Sequence, residues 1–191
     1  MRDPSSHLAE NLKSLRAERG WSLSQCASET GVSKAMLGQI ERGESSPTIA
    51  TLWKIAGGFN LSLSSLLGEA GDVRPEDIFT IRDAKSLRKP IGNDGMLTAT
   101  LFPYDPKSGF EFFELTFPPE YERVSVPHKA GVIEYISVLQ GCMSVQVDGK
   151  WHELTAGQSL KFLADRPHSY RNRENIDAVV HCLIHYPAFG Y

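Results

Sequence analysis

The spacing of apolar residues changes at Gly68, and this change limits what the chain can fold into. Before Gly68, apolar side chains recur every three or four residues, as at Leu8, Leu12 and Leu15, which is typical of amphipathic helices. After it, apolar and polar residues alternate in short segments separated by turn residues. The sequence therefore predicts two domains of different class: a helical domain over residues 1–67 and an all-β domain over residues 78–191, joined by a linker over 68–77.

Capping residues divide the helical domain into five predicted short helices. Along this domain, small polar residues that begin helices alternate with residues that end helices. The predicted starts are near Leu8, Ser22, Ser33, Pro47 and Ser62, and the first four ends are near Arg19-Gly20, Gly31, Glu41 and Gly57-Gly58. Pro47 is placed in the first turn of the fourth helix, where proline is tolerated. Gln25 is expected to complete a capping box with Ser22.

The segment from Ser22 to Glu41 has the pattern of a DNA-binding element. Two helices that cross steeply need a small residue at their contact and a residue tolerant of positive φ at the turn, and Ala27 and Gly31 supply both. The outward residues of the second helix are small, polar or cationic: Ser33, Lys34, Ala35, Met36 and Gln39. A helix of this kind can enter the major groove of DNA.

These residues also resemble a known family. The run GVSKAMLGQIERGESSPTIATLWKIA, within residues 19–67, is similar to a lambda-repressor-type (XRE) helix-turn-helix domain. The resemblance implies a recognition helix from Ser33 to Glu41, with Lys34, Ala35 and Met36 at base edges and Ser33 and Gln39 at bases or phosphates of a double-stranded operator. It further implies phosphate contacts from Arg16, Arg19, Arg42, Ser46 and Thr48. Cys26 replaces the usual Leu, so slightly looser packing is expected. A helical bundle that docks another protein is the alternative.

In the β domain, three residues favour a metal site. A first-row transition metal is suited by two imidazoles and a carboxylate, which His128, His168 and Glu134 supply if they converge inside a barrel. Three protein ligands would leave further coordination positions of the metal open. A buried ion pair between Glu134 and His168 is the alternative. His181 and His185 lie four apart in a predicted strand, share a face, and are further candidate ligands. Asp148-Gly149 predicts a hairpin turn.

The β domain resembles the cupin family, whose two motifs are recognisable in His128, Glu134 and Gly141 and in Gly157, His168 and Asn172. The match is incomplete: Ala130 stands where the second histidine is usual, and Leu163 and Asp165 replace an expected Pro and Gly. The resemblance implies a cupin-like double-stranded β-helix barrel. Its metal would be a divalent transition metal (Zn, Fe, Ni or Mn) on His128, Glu134 and His168. The effector pocket is expected to be lined or covered by Tyr135, Phe162, Arg166 and Tyr170.

The two domains together predict a transcription regulator that binds DNA and senses a small molecule. Effector binding is expected to change how two protomers place their recognition helices on half-sites about 34 Å apart, which makes a homodimer the expected assembly. A chelating, amino-acid-like molecule is the candidate effector, since it can fill the open positions of a metal. The alternatives are a metal-dependent, oxygenase-like cupin enzyme that carries a helix-turn-helix domain, and a protein-binding adaptor.

Composition limits the partners and the compartment. No apolar run approaches the roughly 20 residues of a membrane span, the N-terminus has no secretory pattern, and three widely spaced cysteines favour a reducing cytoplasm. The net charge of −3 divides unevenly. Residues 1–67 carry seven basic and six acidic side chains, and the remainder carries thirteen and seventeen. A nearly neutral DNA-binding domain predicts weak non-specific binding and dependence on base contacts.

Overall fold

A computed structural model of the chain describes residues 4–68, 79–92 and 94–187, with side chains from residue 7 onward. The chain divides into two compact units, Met1–Asp72 and Val73–Tyr191. The predicted linker over 68–77 lies outside the described residues apart from Gly68, so the domain boundaries stay a prediction. No helix among the described residues is long and apolar enough to cross a bilayer.

The first unit is helical, as predicted. It contains α1 (Pro4–Glu18), α2 (Leu23–Thr30), α3 (Lys34–Glu41), α4 (Ile49–Phe59) and α5 (Leu63–Leu66). A sixth helix, α6 (Ala84–Leu87), lies in the second unit, so the described part of the chain has one helix more than the five predicted. Side chains such as Leu12, Cys26 and Ile55 are fully buried in the first unit, which confirms that Cys26 packs as a small hydrophobe.

Serine and threonine hydroxyls begin four of these helices. The side chains of Ser22, Ser33, Thr48 and Ser62 each accept a hydrogen bond from a backbone N–H in the first turn of α2, α3, α4 and α5, at 3.2 Å. Thr48 as the cap of α4 corrects one expectation, because Pro47 then precedes the cap and lies outside the helix.

The end of α4 also differs from the prediction. The helix does not end at Gly57-Gly58 but continues to Phe59, whose ring is buried, and Asn60 ends it with a left-handed φ of 60°. The glycines are tolerated inside the helix because one of them permits a close helix contact. A Cβ on Gly58 would lie 2.8 Å from both the Glu29 carbonyl oxygen and the Thr30 Cα at the end of α2.

The second unit is built from two antiparallel sheets. The six-stranded sheet has the order β1-β2-β3-β10-β5-β8 and the four-stranded sheet the order β4-β9-β6-β7. Their strands are β1 (Lys89–Pro90), β2 (Leu97–Asp105), β3 (Phe110–Phe117), β4 (Glu122–Ser125), β5 (Ile133–Gln140), β6 (Cys142–Val147), β7 (Lys150–Thr155), β8 (Ser159–Leu163), β9 (His168–Arg171) and β10 (Ala178–His185). This confirms a β-rich, cupin-like domain; closure of the sheets into a barrel stays a prediction.

Two local features of this unit follow from the residues that the sequence singled out. Asp148 and Gly149 join β6 to β7 with φ of 48° and 80°, the positive pair that a tight two-residue hairpin requires. Asn172 is fully buried, and its side-chain amide donates to the carbonyls of Phe117, Pro118 and Ile176 at 2.8–3.1 Å. Asn172 therefore ties the end of β9 to two neighbouring segments.

Candidate functional site

The outward surface of α3 presents the residues predicted to contact bases. Ser33, Lys34, Ala35 and Gln39 are exposed and Met36 is half-buried, whereas the opposite face packs Leu37 and Ile40 into the core. Gly31 precedes the helix with a φ of 65°, and its N–H donates to the Ala27 carbonyl. One face of α3 is therefore exposed and free to contact a partner, as a recognition helix requires.

Arg16 has a different environment from the other residues predicted to contact phosphates. Its Nε and Nη2 donate to both carboxylate oxygens of Glu41 at 2.5 and 2.8 Å, and Nη1 donates to the Trp21 carbonyl at 2.9 Å. The hydrogen bonds to Glu41 are the main cause of the raised pKa of Arg16. Since every nitrogen of this guanidinium has a partner, the structure favours a role for Arg16 in holding α3 against α1.

The remaining predicted phosphate contacts are on the surface. Arg19 is exposed, donates to the Phe59 carbonyl at 2.9 Å and lies over the Trp21 ring. Arg42 forms two hydrogen bonds with the exposed carboxylate of Glu44, at 2.8 and 2.7 Å. Ser46 and Thr48 are exposed, and the Thr48 hydroxyl also caps α4. These four side chains are accessible at the surface, and their roles as phosphate contacts stay predictions.

In the second unit, the three predicted metal ligands come together. His128 lies in the segment before β5, and its backbone N–H donates to the Ala164 carbonyl at 2.9 Å. Glu134 is on β5, and His168 is the first residue of β9. The His128 Nε2 and Glu134 Oε1 atoms are 2.7 Å apart, and the candidate ligand atoms of the three residues all lie within 4.8 Å of one another. Their side chains are at most 5% exposed. We call this set the His-Glu-His cluster.

His168 has a free nitrogen that points to metal binding. Its Nδ1 is 2.8 Å from the Arg166 carbonyl, to which it can only donate, so the neutral ring carries its lone pair on Nε2. Nε2 is buried and has no hydrogen-bond partner among the described residues, since Glu134 Oε1 is 3.7 Å away. A buried, unpaired imidazole nitrogen beside a second histidine and a carboxylate fits a transition-metal site.

The electrostatics of the His-Glu-His cluster keep Glu134 ionised. Burial alone would raise the pKa of Glu134, but the hydrogen bond and charge of His128, the charge of His168 and the Tyr170 hydroxyl outweigh it and lower the pKa to about 2. Burial lowers the pKa of His168, which favours its neutral, ligating form. Burial and the nearby Glu134 raise the pKa of Tyr170 well above its usual value, so Tyr170 stays a donor to Glu134.

Two of the four residues predicted for the effector pocket lie beside the cluster. Phe162 on β8 is opposite Glu134 in the sheet, and its ring centroid is 5.4 Å from that of His168. Tyr170 is buried and donates to Glu134. The expectation is not met for the side chain of Arg166, which is at the surface and pairs with Asp148 at 2.8 Å. Only the backbone carbonyl of Arg166 contributes, by holding His168.

Tyr135 and the additional histidines face away from the cluster, which corrects the sequence-based expectation. Tyr135 follows Glu134 on β5 and is 39% exposed, because successive side chains of a strand point to opposite faces. His181 and His185 likewise alternate with the buried Cys182, whose thiol is the group of β10 that lies near Glu134, at 3.8 Å. On this other face, a groove of about 480 Å³ is lined by Phe112, Ile133, Tyr135, Ser137, His181, Leu183 and His185.

The departures from the cupin motifs have identifiable consequences. Ala130, at the usual second-histidine position, is exposed and offers no ligand. Leu163 is 42% exposed, so the change from Pro removes nothing from the cluster. Asp165 accepts a hydrogen bond from the Gly131 N–H at 2.9 Å and thereby ties the segment after His128 to the segment before His168.

Sequence reasoning missed Arg123 on β4. Its guanidinium carbon lies 4.9 Å from the centroid of the Tyr170 ring, next to the His-Glu-His cluster. The register that pairs Arg123 with Tyr170 is a tertiary feature, so no motif in the sequence indicates it.

Comparison with known proteins agrees with the two predicted domain classes. A helix-turn-helix family model matches residues 12–66 and a cupin-domain model matches residues 113–184. The chain is 44% identical over 180 residues to the HTH-type transcriptional regulator SutR of Escherichia coli, covering 94% of this chain and 95% of SutR. The chain belongs to the XRE-type helix-turn-helix transcriptional regulators that carry a cupin domain.

Two other transcriptional regulators are similar to this chain over most of their length. The HTH-type transcriptional regulator PuuR of Escherichia coli is 26% identical over 164 residues, covering 85% of this chain and 86% of PuuR. A crystal structure of an HTH_3 family transcriptional regulator from Vibrio cholerae superposes with a TM-score of 0.82 at 46% identity, covering 96% of this chain and 97% of that one. The family implies a DNA-binding regulator of transcription.

Proposed function

We propose that this regulator binds a specific operator through α3 and that a small molecule bound in its cupin domain changes its affinity for that operator. Membership of the regulator family supports the first part. The sensing part rests on the buried Nε2 of His168, which lies beside Glu134 and His128 and has no hydrogen-bond partner among the described residues. A buried polar atom without a partner needs an explanation, and a bound ligand supplies one.

His128, Glu134 and His168 would hold the metal, with Zn, Fe, Ni and Mn as candidates. A bound divalent ion would supply Lewis acidity and open coordination positions for a chelating, amino-acid-like effector. The chain itself contributes a neutral His168 held by the Arg166 carbonyl, an ionised Glu134, and the rings of Phe162 and Tyr170 beside the ligands.

We further propose a homodimer in the cytoplasm. A protein of this family reads DNA through a small surface, and two copies on half-sites about 34 Å apart would multiply their affinities. Mass measured by light scattering, alone and with a two-half-site DNA, tests this: one protomer per DNA at saturation contradicts it.

The proposed function is tested by selecting operator sequences from a random DNA library with the purified chain. Binding of the selected DNA is then measured with and without added Zn²⁺, Fe²⁺, Ni²⁺ or Mn²⁺ and a panel of amino acids. An operator whose affinity changes with one of these ligands supports the proposal. Failure to select any sequence contradicts operator binding, and an affinity that no ligand alters contradicts sensing.

Replacing Lys34 with Ala should weaken operator binding roughly 5- to 100-fold, the range expected for loss of a base contact. If Lys34 contacts a base, discrimination at one operator position should also relax; if it contacts phosphate, affinity should fall equally for all sequences. Fluorescence anisotropy with the selected operator and single-base variants measures both.

Lys107→Ala is the matched control for Lys34→Ala, because it removes the same charge from an exposed lysine in the turn between β2 and β3. Its operator affinity should equal that of the wild type. Equal affinities for Lys34→Ala and wild type would show that Lys34 does not contact DNA.

An oxygenase-like cupin enzyme is the second candidate, favoured by the two-histidine, one-carboxylate donor set. The named relatives, which are transcriptional regulators, favour regulation. Substrate-dependent oxygen uptake by iron-loaded protein, lost on His168→Ala, would support the enzyme instead.

A further inference from the structure

Arg123 belongs to the same face of the four-stranded sheet as the His-Glu-His cluster. It pairs directly with Tyr170 across β4 and β9, and cross-strand partners project from the same face. Tyr170 on that face donates to Glu134, whereas Val124, the next residue of β4, is 71% exposed on the other face. The Arg123 guanidinium therefore contacts the ring whose hydroxyl donates to Glu134 of the cluster.

The Arg123 side chain is held in place but its charge is not neutralised. Its guanidinium carbon is 4.9 Å from the Tyr170 ring centroid, a cation–π contact that orients it. Its Nε is buried without a hydrogen-bond partner, and Arg123 forms no ion pair with any carboxylate among the described residues. A buried N–H donor without an acceptor costs free energy that a bound anion would recover.

The other arginines of the second unit show why Arg123 is distinctive. Arg88, Arg166 and Arg173 pair with Glu114, Asp148 and Glu122. Arg171 is the close counterpart, because its buried Nε also has no acceptor among the residues that the structure describes, and its guanidinium carbon is 3.8 Å from the Trp151 ring centroid. However, Arg171 follows Tyr170 by one residue and so points to the opposite face of the sheet.

We propose that Arg123 is the anchor for a carboxylate group of the effector, whose other end reaches the His-Glu-His cluster past the ring of Tyr170. The planar guanidinium presents paired N–H donors that match a carboxylate in two-point contact. The effector class is then a small molecule with a carboxylate at one end and a metal-binding or hydrogen-bonding group at the other. This inference rests on the proposed sensing function and specifies its ligand.

The test compares two probes of equal length on the full-length protein, zinc-loaded and metal-free. Succinamate and succinamide share one amide end and differ only in whether the other end is a carboxylate or a neutral amide. Calorimetry should show that the wild type prefers succinamate at least about tenfold, since removing one partner of a buried charge pair typically costs more than that. The metal-free protein decides the comparison, because no zinc is present there to bind the carboxylate. The preference should disappear in Arg123→Gln and persist in part in Arg123→Lys, which keeps the charge.

Arg171→Gln is the matched control, because Arg171 also lies over an aromatic ring but on the opposite face of the four-stranded sheet. It should retain the wild-type preference. The readout is the ratio of the two probe affinities in one variant, so a partial loss of active protein does not change the ratio. Circular dichroism checks that each variant is folded. Equal affinities of the wild type for both probes, or a preference that survives in Arg123→Gln, overturns the anchor.

Operator affinity measured in the same samples separates this proposal from the sensing function. If the succinamate preference depends on Arg123 but no carboxylate in a wider panel alters operator binding, the anchor stands and effector regulation fails. If carboxylates alter operator binding equally in the wild type and in Arg123→Gln, regulation stands and the anchor fails.

Discussion

A Glu134→Gln variant should bind Zn²⁺ at least about 100-fold more weakly than the wild type. Glu134 is the only carboxylate of the His-Glu-His cluster, and its lowered pKa keeps it charged at neutral pH. Replacement by the isosteric amide removes that charge and one of three ligand atoms, and even changes to residues around a metal ligand cost 10- to 100-fold. Competition with a chelating indicator measures the affinity, and elemental analysis measures the metal that co-purifies.

Glu114→Gln is the matched control for Glu134→Gln. Glu114 is also a buried carboxylate of the six-stranded sheet, but it pairs with Arg88 at 2.7 Å and lies outside the cluster. It should keep wild-type metal affinity even if its stability falls. A wild type that takes up no Zn, Fe, Ni or Mn would show that His128 and Glu134 form a buried, hydrogen-bonded pair without a metal.

Adjacent glycines of α4 should respond to alanine in opposite directions. Gly58→Ala should lower the free energy of unfolding of the helical unit by about 1–3 kcal/mol, the range for overpacking a close contact. The new Cβ would lie 2.8 Å from the backbone of Glu29 and Thr30, which cannot move without displacing α2 from α4. Since α2 packs against α3, the proposed recognition helix, operator binding should weaken as well.

Gly57→Ala is the internal control, because a Cβ there meets nothing within 4 Å. It should raise stability by about 0.5–1 kcal/mol, since alanine loses less conformational freedom than glycine in a helix. Urea unfolding followed by the circular dichroism of the helices measures both variants. Similar shifts in the same direction would contradict the close contact at Gly58.

The sequence predicted the helical unit well because its signals are local. Ser22, Ser33 and Ser62 begin helices through hydroxyl contacts with residues three positions ahead. Pro47 was predicted in the first turn of α4, but it lies just before the helix because the Thr48 hydroxyl caps it, and the sequence alone does not show which of the two residues begins the helix. The end of α4 was misplaced because glycine breaks helices on average, whereas here Gly58 allows a close contact with α2.

The effector pocket was harder to predict because strand faces depend on register. Glu134 and Tyr135 are neighbours in sequence but lie on opposite faces of β5, and a shift of one position exchanges such faces. His181 and His185 share a face, as predicted, but it is the face away from the cluster. Arg166 contributes its carbonyl rather than its side chain, which no residue pattern indicates.

By itself, the sequence determined the two domain classes, the exposed surface of α3, and the three residues of the His-Glu-His cluster. These properties depend on periodicity, on capping and on motifs whose spacing is contained in the chain. Only the tertiary structure decided that Arg16 is held by Glu41, that Nε2 of His168 has no partner in the part of the chain that the structure describes, and that Arg123 lies over Tyr170. Each of these depends on which side chains from distant segments meet, and that is set by packing and strand register.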